Sequence, residues 1–579
     1  MRTALASARP HTDLDLSARL VLAAGGLVAV FLIAAPLGVL LVAAFRGPAD
    51  SLPFEPGTQW TLEHFRAIYG ERVLYYQIIP DTLGFVGGAV LLTFLIAFVL
   101  AWLVERTDLP WRDLWYSLIL FPLLVPSVVL AIAWIFLAGP NAGWINVWLR
   151  SAFGLAGNGP INIFSMPGLI VCQALASAPF AFLLLCSALR SMNPSLEEAS
   201  STSGASPMRT FLRVTLPVLL PGIVAPLILL LLITLEQFEM PLIIGLPARI
   251  NVFSYRIWYE LNPSSGLPNY GAAAAVALPF LALGMLLLWF YNWLIRRAEN
   301  FVVVTGKAYR QTRFPLRRWR IPALLFVIVY VSVAAVLPAL VLLWTGFFGY
   351  AMPGFESLGS FSIDAYRKLA GDRVFWLGLW NTFVVATLSA LIVTAVGGVL
   401  AWIIVRTQVR GRRFVDFVSF MSVGIPSIIA GLAVMLVYLS VPVGIYGTVW
   451  ILVIAYSYRL AVTTRIARAG LMQIHRELEE ASSASGARWL TTQLRILLPL
   501  LMPVLLSGFV LLFITGVREF TMGLVLYGQD NVVLSVLLWR LFEGGQAAPS
   551  AALATIIIAL VIPVVFIARR HLAPRAYSD

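Results

Sequence analysis

Charge is scarce in this chain. Asp, Glu, Lys and Arg make up only 12% of its 579 residues, against 60% hydrophobic, with a mean hydropathy of +0.90, whereas soluble domains carry roughly 25% charged residues. A soluble globular protein is excluded, and so are disordered and collagenous chains, which are polar. Cysteine is scarcer still. Cys172 and Cys186 are the only two, both in an apolar run, which excludes a disulfide scaffold and reads as buried thiols. Histidine is limited to His11, His64, His475 and His571, too scattered for a metal centre or proton relay. No metal site and no cofactor are expected. The charge that is present is unbalanced, 40 Lys+Arg against 27 Asp+Glu for a net +13. In a soluble protein this would suggest nucleic acid. In an apolar chain basic residues gather in cytoplasmic loops and set orientation, so membrane lipid, and no nucleic acid, is the expected contact.

Long apolar runs are what the sequence has in abundance. A bilayer core takes about 20 apolar residues per helix, because backbone polar groups in lipid must bond within the segment. About twelve runs meet that length. They lie near 18–45, 82–104, 115–138, 168–189, 214–235 and 271–295, and then near 321–348, 381–405, 414–440, 446–467, 496–516 and 549–568. The stretch 296–320 between the two sets carries Arg296, Arg297, Lys307, Arg310, Arg313, Arg317, Arg318 and Arg320 against Glu299 alone. It reads as a solvated cytoplasmic loop. Six spans on each side of it put both termini inside, in agreement with Arg2, Arg9 and Arg19 at one end and Arg569, Arg570 and Arg575 at the other. The acidic segment 46–81 suits the outer face, and the first run, preceded by a polar lead of about 17 residues, is longer than a signal core and reads as an uncleaved anchor. The expected fold is all-α, a polytopic membrane protein of about twelve transmembrane helices.

The chain repeats itself. Leu100–Thr107 reads LAWLVERT and Leu400–Thr407 reads LAWIIVRT, a shift of 300 that also pairs Asp81-Thr82 with Asn381-Thr382 and Pro126-Ser127 with Pro426-Ser427. Glu197–Gly204 (EEASSTSG) matches Glu479–Gly486 (EEASSASG) with a shift of 282, as do Pro217 with Pro499 and Pro221 with Pro503. The difference of 18 residues falls in the polar loop near Gly139–Met166, which has only the short stretch Val441–Gly447 as counterpart. An even number of spans per half makes the two six-helix repeats parallel, with a passage between halves. The expected division is a first transmembrane domain over 1–295, the basic linker 296–320, and a second transmembrane domain over 321–579.

The second repeated block is a short cytoplasmic helix between two spans. Ser195 with Glu198 makes a capping box behind Pro194. Gly204 suits a terminal turn with positive φ, and Leu216-Pro217 opens the next span. In the second copy Arg476 stands where Pro194 stands, so that helix has a weaker start signal. Glu198-Ala199-Ser200, Gly204, Val214, Leu216 and Pro217, and Glu480-Ala481-Ser482, Gly486, Ile496, Leu498 and Pro499, follow E-A-A-x3-G-x9-I-x-L-P except at Ser200, Val214 and Ser482. The pattern resembles the permease signature of binding-protein-dependent ABC importers of type I, over both halves. The fused two-half layout, with Thr305-Gly306-Lys307 in the link, is most similar to the ferric-iron transport permeases. The resemblance implies a transport subunit rather than an enzyme, in a bacterial inner membrane. Its partners would be an ABC ATPase subunit, in two copies, and an extracytoplasmic solute-binding protein. It implies that Glu197, Glu198, Ala199, Ser200 and Gly204, with Glu479, Glu480, Ala481, Ser482 and Gly486, dock the ATPase. Consistent with a separate ATPase, no stretch reads G-x4-G-K-[ST]: Ala308 follows Gly306-Lys307 and Phe301 stands where the first glycine belongs. The resemblance implies ferric iron as cargo, with thiamine, polyamine or phosphonate as alternatives.

Charged residues at membrane depth are functional candidates by default. Glu236 and Glu239 lie about 20 residues past Pro217, near the outer end of the fifth span and on one helical face. The aligned positions are Arg518 and Thr521, with Glu519 opposite Gln237. These residues either line the passage or anchor span ends at the outer interface. Pro126 and Pro426 either open the helix ladder onto a cavity or are tolerated kinks. A secondary transporter of twelve spans is the rival class, but it needs coupling groups within its spans that are scarce here. A membrane enzyme ranks behind it, since no catalytic cluster of His, Asp, Glu or Cys is apparent.

Overall fold

The computed structural model describes residues 16–48, 51–190, 195–299, 314–349, 356–409, 411–441 and 443–572. The basic N-terminus, the core of the linker and the tail lie outside them, as does Pro194. Helix dominates, and the one sheet among the described residues is a pair of two-residue antiparallel strands with Arg46 opposite Trp60.

Among the described residues eight helices are long and apolar enough to cross a membrane: Ala23–Ala43, Leu74–Arg106, Met166–Arg190, Tyr270–Leu294, Arg317–Phe348, Arg373–Arg406, Trp489–Arg518 and Ala547–Val564. Three more spans are bent pairs: Arg112–Leu124 with Ser127–Ala138 at 99°, Phe211–Leu220 with Gly222–Leu235 at 55°, and Val449–Tyr456 with Leu460–Gln473 at 47°. The count among the described residues is therefore eight to eleven, where about twelve spans were expected. The remaining run, 414–440, is split into Arg412–Met421 and Ser427–Ser440. At 1.5 Å per residue neither piece reaches the ~30 Å of a bilayer core. The sixth helix runs on to Glu299, past the expected domain edge at 295.

Proline accounts for the split third runs and for the widened turns, though not for the 47° bend at 457–459, where the sequence has none. In the third run of each half Pro126 and Pro426 take ψ of 141° and 140°, an extended conformation that ends one helix and starts the next. At six other prolines the chain widens one turn, whereas Pro179, Pro279, Pro503 and Pro563 sit within α-helix. Six π-helical turns occur among the described residues, Val30–Ala34, Leu74–Ile78, Phe211–Thr215, Pro241–Gly245, Ser332–Val336 and Gln493–Leu497. Each ends two residues before a proline: Pro36, Pro80, Pro217, Pro247, Pro338 and Pro499. The ring of proline i lacks an N–H and collides with the carbonyl of residue i−4. That carbonyl lies inside the π turn in every case, so an i→i+5 turn removes the collision without breaking the helix.

The two halves interlock rather than sit side by side. The first helix, Leu16–Ala29, packs along Arg373–Arg406 of the second half, and its continuation Ala35–Ala43 packs on Ser427–Ser440. Reciprocally, the Tyr330 hydroxyl in the first span of the second half donates to the Leu175 carbonyl of the first half at 3.5 Å. The extra loop of the first half carries its own helix, Trp144–Phe153, held by buried Asn146, whose amide nitrogen donates to the Gly139 and Ile161 carbonyls at 2.9 and 2.7 Å.

Candidate functional site: paired motif helices and a charged centre between the halves

The repeated motif forms two eight-residue helices, Ser195–Thr202 and Glu477–Ala484. Ser195 is the first helical residue rather than the cap, and the residue before it lies outside those described. In the second copy Arg476 occupies the N-cap position without a side-chain cap; its guanidinium donates to the Val405 carbonyl at 2.9 Å. Both helices end alike. The Ala205 and Ala487 N–H groups donate back to the Ser200 and Ser482 carbonyls at 3.2 Å, and Gly204 and Gly486 take φ of +78° and +80°. That closure needs a left-handed residue, which glycine supplies without strain.

The two faces of each helix differ. Glu197 is 4% exposed. It forms an ion pair with fully buried Arg106 of the second span and accepts from the Thr215 hydroxyl at 2.6 Å. Glu479 pairs with Arg406 at 2.8 Å, and Arg406 also donates to the Leu471 and Ile474 carbonyls at 3.2 and 2.6 Å. Ser200 bonds Thr210 at 2.9 Å and Ser482 bonds Thr492 at 2.8 Å. These four motif residues therefore face the spans. Glu198, Ala199, Gly204, Glu480, Ala481 and Gly486 are exposed, and so are Leu196 and Leu478, at 45% and 44%. Arg106 and Arg406 recur within the LAW octapeptides, and Leu196 and Leu478 recur at the 282 shift. The repeat is the signal that would have marked them.

At the far end of the fifth span the chain does not emerge to a rim. After Leu235 it turns back into the protein, with Phe238, Met240, Ile243 and Ile244 each no more than 2% exposed. Glu236 and Glu239 thus lie against the second half, Glu236 near Arg459 and Glu519 and Glu239 beside Thr521. The structure brings all four candidates together with Arg459, which sequence reading passed over. Arg459 forms an ion pair with Glu519 and donates to the Ser427 hydroxyl at 3.2 Å. Glu519 also accepts from the Met522 N–H at 3.1 Å. The Thr521 hydroxyl donates to Glu239 at 3.3 Å across the two halves, and Arg518 donates to the Val125 carbonyl at 3.1 Å. Glu236 lies within electrostatic reach of Arg459, Glu519 and Glu239. The proline breaks form part of this wall: Val125 and Ser427 flank Pro126 and Pro426, and the Ile425 carbonyl accepts from the Tyr458 hydroxyl at 3.4 Å. Three carboxyl groups, of Glu236, Glu239 and Glu519, face the two guanidinium groups of Arg459 and Arg518. Among the described residues no group of three His, Cys, Asp or Glu is placed to hold a metal ion.

Beside this centre two equivalent phenylalanines meet. Phe238 and Phe520, related by the 282 shift, stack at 6.4 Å with 21° between rings. Each is backed by a tryptophan, Trp258 at 6.0 Å and Trp539 at 6.4 Å. Each turn is also tied by a serine: Ser254 donates to the Gln237 carbonyl at 2.6 Å and Ser535 to the Glu519 carbonyl at 2.7 Å. Both tryptophans line a chamber of about 500 Å³ between the halves, walled further by Tyr255, Tyr270, Tyr446 and Tyr527.

Comparison with known proteins accords with this organisation. The ferric transport system permease protein FbpB of Actinobacillus pleuropneumoniae is 26% identical over 464 residues, covering 77% of this chain and 64% of that protein. A putative ferric transport system permease, FbpB 1 of Haemophilus influenzae, is 27% identical over 423 residues, covering 72% and 65%. The match thus spans just under two thirds of the length of either relative. The molybdenum transport system permease protein ModB of Escherichia coli K12 is 28% identical over 210 residues, 36% of this chain and 88% of that protein. A family model described as the inner membrane component of binding-protein-dependent transport systems matches twice, over residues 94–300 and 393–577. Each match contains one motif helix, one end of the fifth span and one phenylalanine of the stacked pair, and together they take in more than half of the chain. The chain belongs to the family of inner membrane components of binding-protein-dependent transport systems.

Proposed function

We propose that this chain is the transmembrane permease of an ATP-driven ABC importer, receiving solute from an extracytoplasmic binding protein, with ferric iron as cargo. The observation that carries the reading is the pair of motif helices, which present the same exposed Leu-x-Glu-Ala face twice, as docking to two ATPase subunits requires. Leu196, Glu198 and Ala199 form one docking face and Leu478, Glu480 and Ala481 the other. Gly204 and Gly486 set their ends, while Glu197, Ser200, Glu479 and Ser482 hold each helix from behind. In this reading the domains are 1–295 and 321–579 with the linker 296–320 between them. The chain lies in a bacterial inner membrane with the motif helices, linker and both termini cytoplasmic. The tyrosine-lined chamber is the receiving space, Trp258 and Trp539 of its wall are backed by the Phe238–Phe520 stack, and the charged centre is the next station.

Support for a cationic cargo comes from the likeness to ferric transport permeases and from the three carboxyl groups of Glu236, Glu239 and Glu519 facing Arg459 and Arg518. A hard trivalent cation prefers oxygen ligands, and a conducting site must bind weakly enough to release. The test is uptake of labelled ferric iron by cells that lack other iron importers and express this chain with its partners. ATP-dependent uptake that slows in Glu236→Gln with Glu239→Gln is the expected result. ATP-dependent accumulation of molybdate instead would keep the importer and overturn the cargo. Failure to form a complex with a co-expressed ATPase would overturn the importer.

A further inference from the structure

We propose that Arg106 and Arg406 are positioning residues that clamp each motif helix to the second span of its own half, so that helix and span move as one body when ATPase subunits close on ATP. The inference rests on the docking reading and adds the route by which motion leaves the docking helix. An eight-residue helix hinged at a left-handed glycine can pivot under a load on its exposed face. Displacement reaches the membrane only if its inner face is fixed to something that crosses.

Besides the Ser200–Thr210 and Ser482–Thr492 hydrogen bonds, and the Arg476 bond to the Val405 carbonyl in the second copy, the inner face has one ion pair in each copy. Arg106 is 0% exposed, and Glu197 beside it is 4% exposed. Separating such a pair leaves two charges without solvent, so it resists shear far more than contacts between small side chains do. The Arg106 guanidinium is further enclosed by the rings of Trp102 and Phe314 at 5.8 and 5.9 Å. Its own carbonyl accepts from the Phe314 N–H at 2.9 Å, which seats the chain leaving the linker on the same joint. In the second copy Arg406 holds Glu479 and the Leu471 and Ile474 carbonyls together, joining second span, fourth span and motif helix. A planar guanidinium with several donors suits this three-way attachment, which an ammonium could not match in fixed geometry. The neighbours differ between copies, Thr215 in one and backbone carbonyls in the other. The arginine–glutamate pair is what the two joints share.

The test uses the full chain assembled with its ATPase in proteoliposomes and spin labels on two pairs of cysteines. One pair sits on the motif helices, at Thr202 and Ala484. The other sits on the second spans, at Leu91 and Leu391, exposed by 61% and 56%. In the otherwise unaltered protein a non-hydrolysable ATP analogue should change both distances. In Arg106→Met with Arg406→Met the motif-helix change should persist, while the nucleotide-shifted population at the span pair falls about tenfold. Glu197→Gln with Glu479→Gln, which preserves side-chain size, should give the same separation and is decisive if the methionine pair does not assemble. A span response of full amplitude in either set overturns the clamp. Failure of both sets to assemble assigns the pairs to folding rather than motion and also overturns it. Absence of any nucleotide response at the motif helices of the unaltered protein would instead refute the docking reading.

Discussion

Replacing Arg459 with methionine removes the cation of the central ion pair while keeping most of the side-chain volume. Glu519, whose side chain is 6% exposed, would retain only the Met522 N–H among its described carboxylate partners. A buried carboxylate left without its counter-charge costs about 3–5 kcal/mol. The same figure is not expected from Glu519→Gln, because a neutral amide still accepts from Met522 while Arg459 retains Ser427 and the nearby Glu236. The double variant removes both charges and should recover at least half of the loss, since an uncharged pair of similar volume is often close to neutral in such a site. Thermal or denaturant unfolding of the detergent-purified permease, arranged as a double-mutant cycle, measures this. A coupling energy below ~0.5 kcal/mol, the level at which independent sites add, would show that the pair is not desolvated as described and would remove the basis for a charged station between the halves.

Three further outcomes are expected. Glu198→Ala with Glu480→Ala, or aspartate at both Leu196 and Leu478, should abolish ATPase binding and transport while membrane insertion stays normal, because these residues lie outside the spans; normal uptake with ATPase still bound refutes the docking faces. Alanine at both Phe238 and Phe520 should let small ions leak through proteoliposomes without ATP, since it deletes the stacked pair that backs the chamber tryptophans, and a tight vesicle shows that the closure lies elsewhere. Single cysteines at Thr202 and Ala484 should react with membrane-impermeant thiol reagents only from the cytoplasmic side; labelling of either from outside breaks the proposed topology.

Much was legible in the sequence because it is local. Run length identified the helices, and two octapeptides recurring at fixed shifts exposed the duplication. The glycine after each EEAS block announced a left-handed turn that Gly204 and Gly486 both adopt. The prolines carried more than was read from them: every described π turn ends two residues before one, because the collision of a proline ring with the carbonyl four residues back is a purely local event. What the sequence could not decide is which face of each helix meets which neighbour. A helix apolar all round has no stripe to mark its buried side, and in lipid the packing of side chains, not exclusion of apolar surface, selects partners. The exchange of first spans between halves, the pairing of Arg106 with Glu197 across 91 positions and of Arg459 with Glu519 across 60, and the meeting of Phe238 with Phe520 therefore belong to tertiary structure alone. The same reason turned Glu197 and Glu198 apart: adjacent in sequence, they sit about 100° apart around a helix, and only the position of the second span determines which carboxylate is buried and which faces outward.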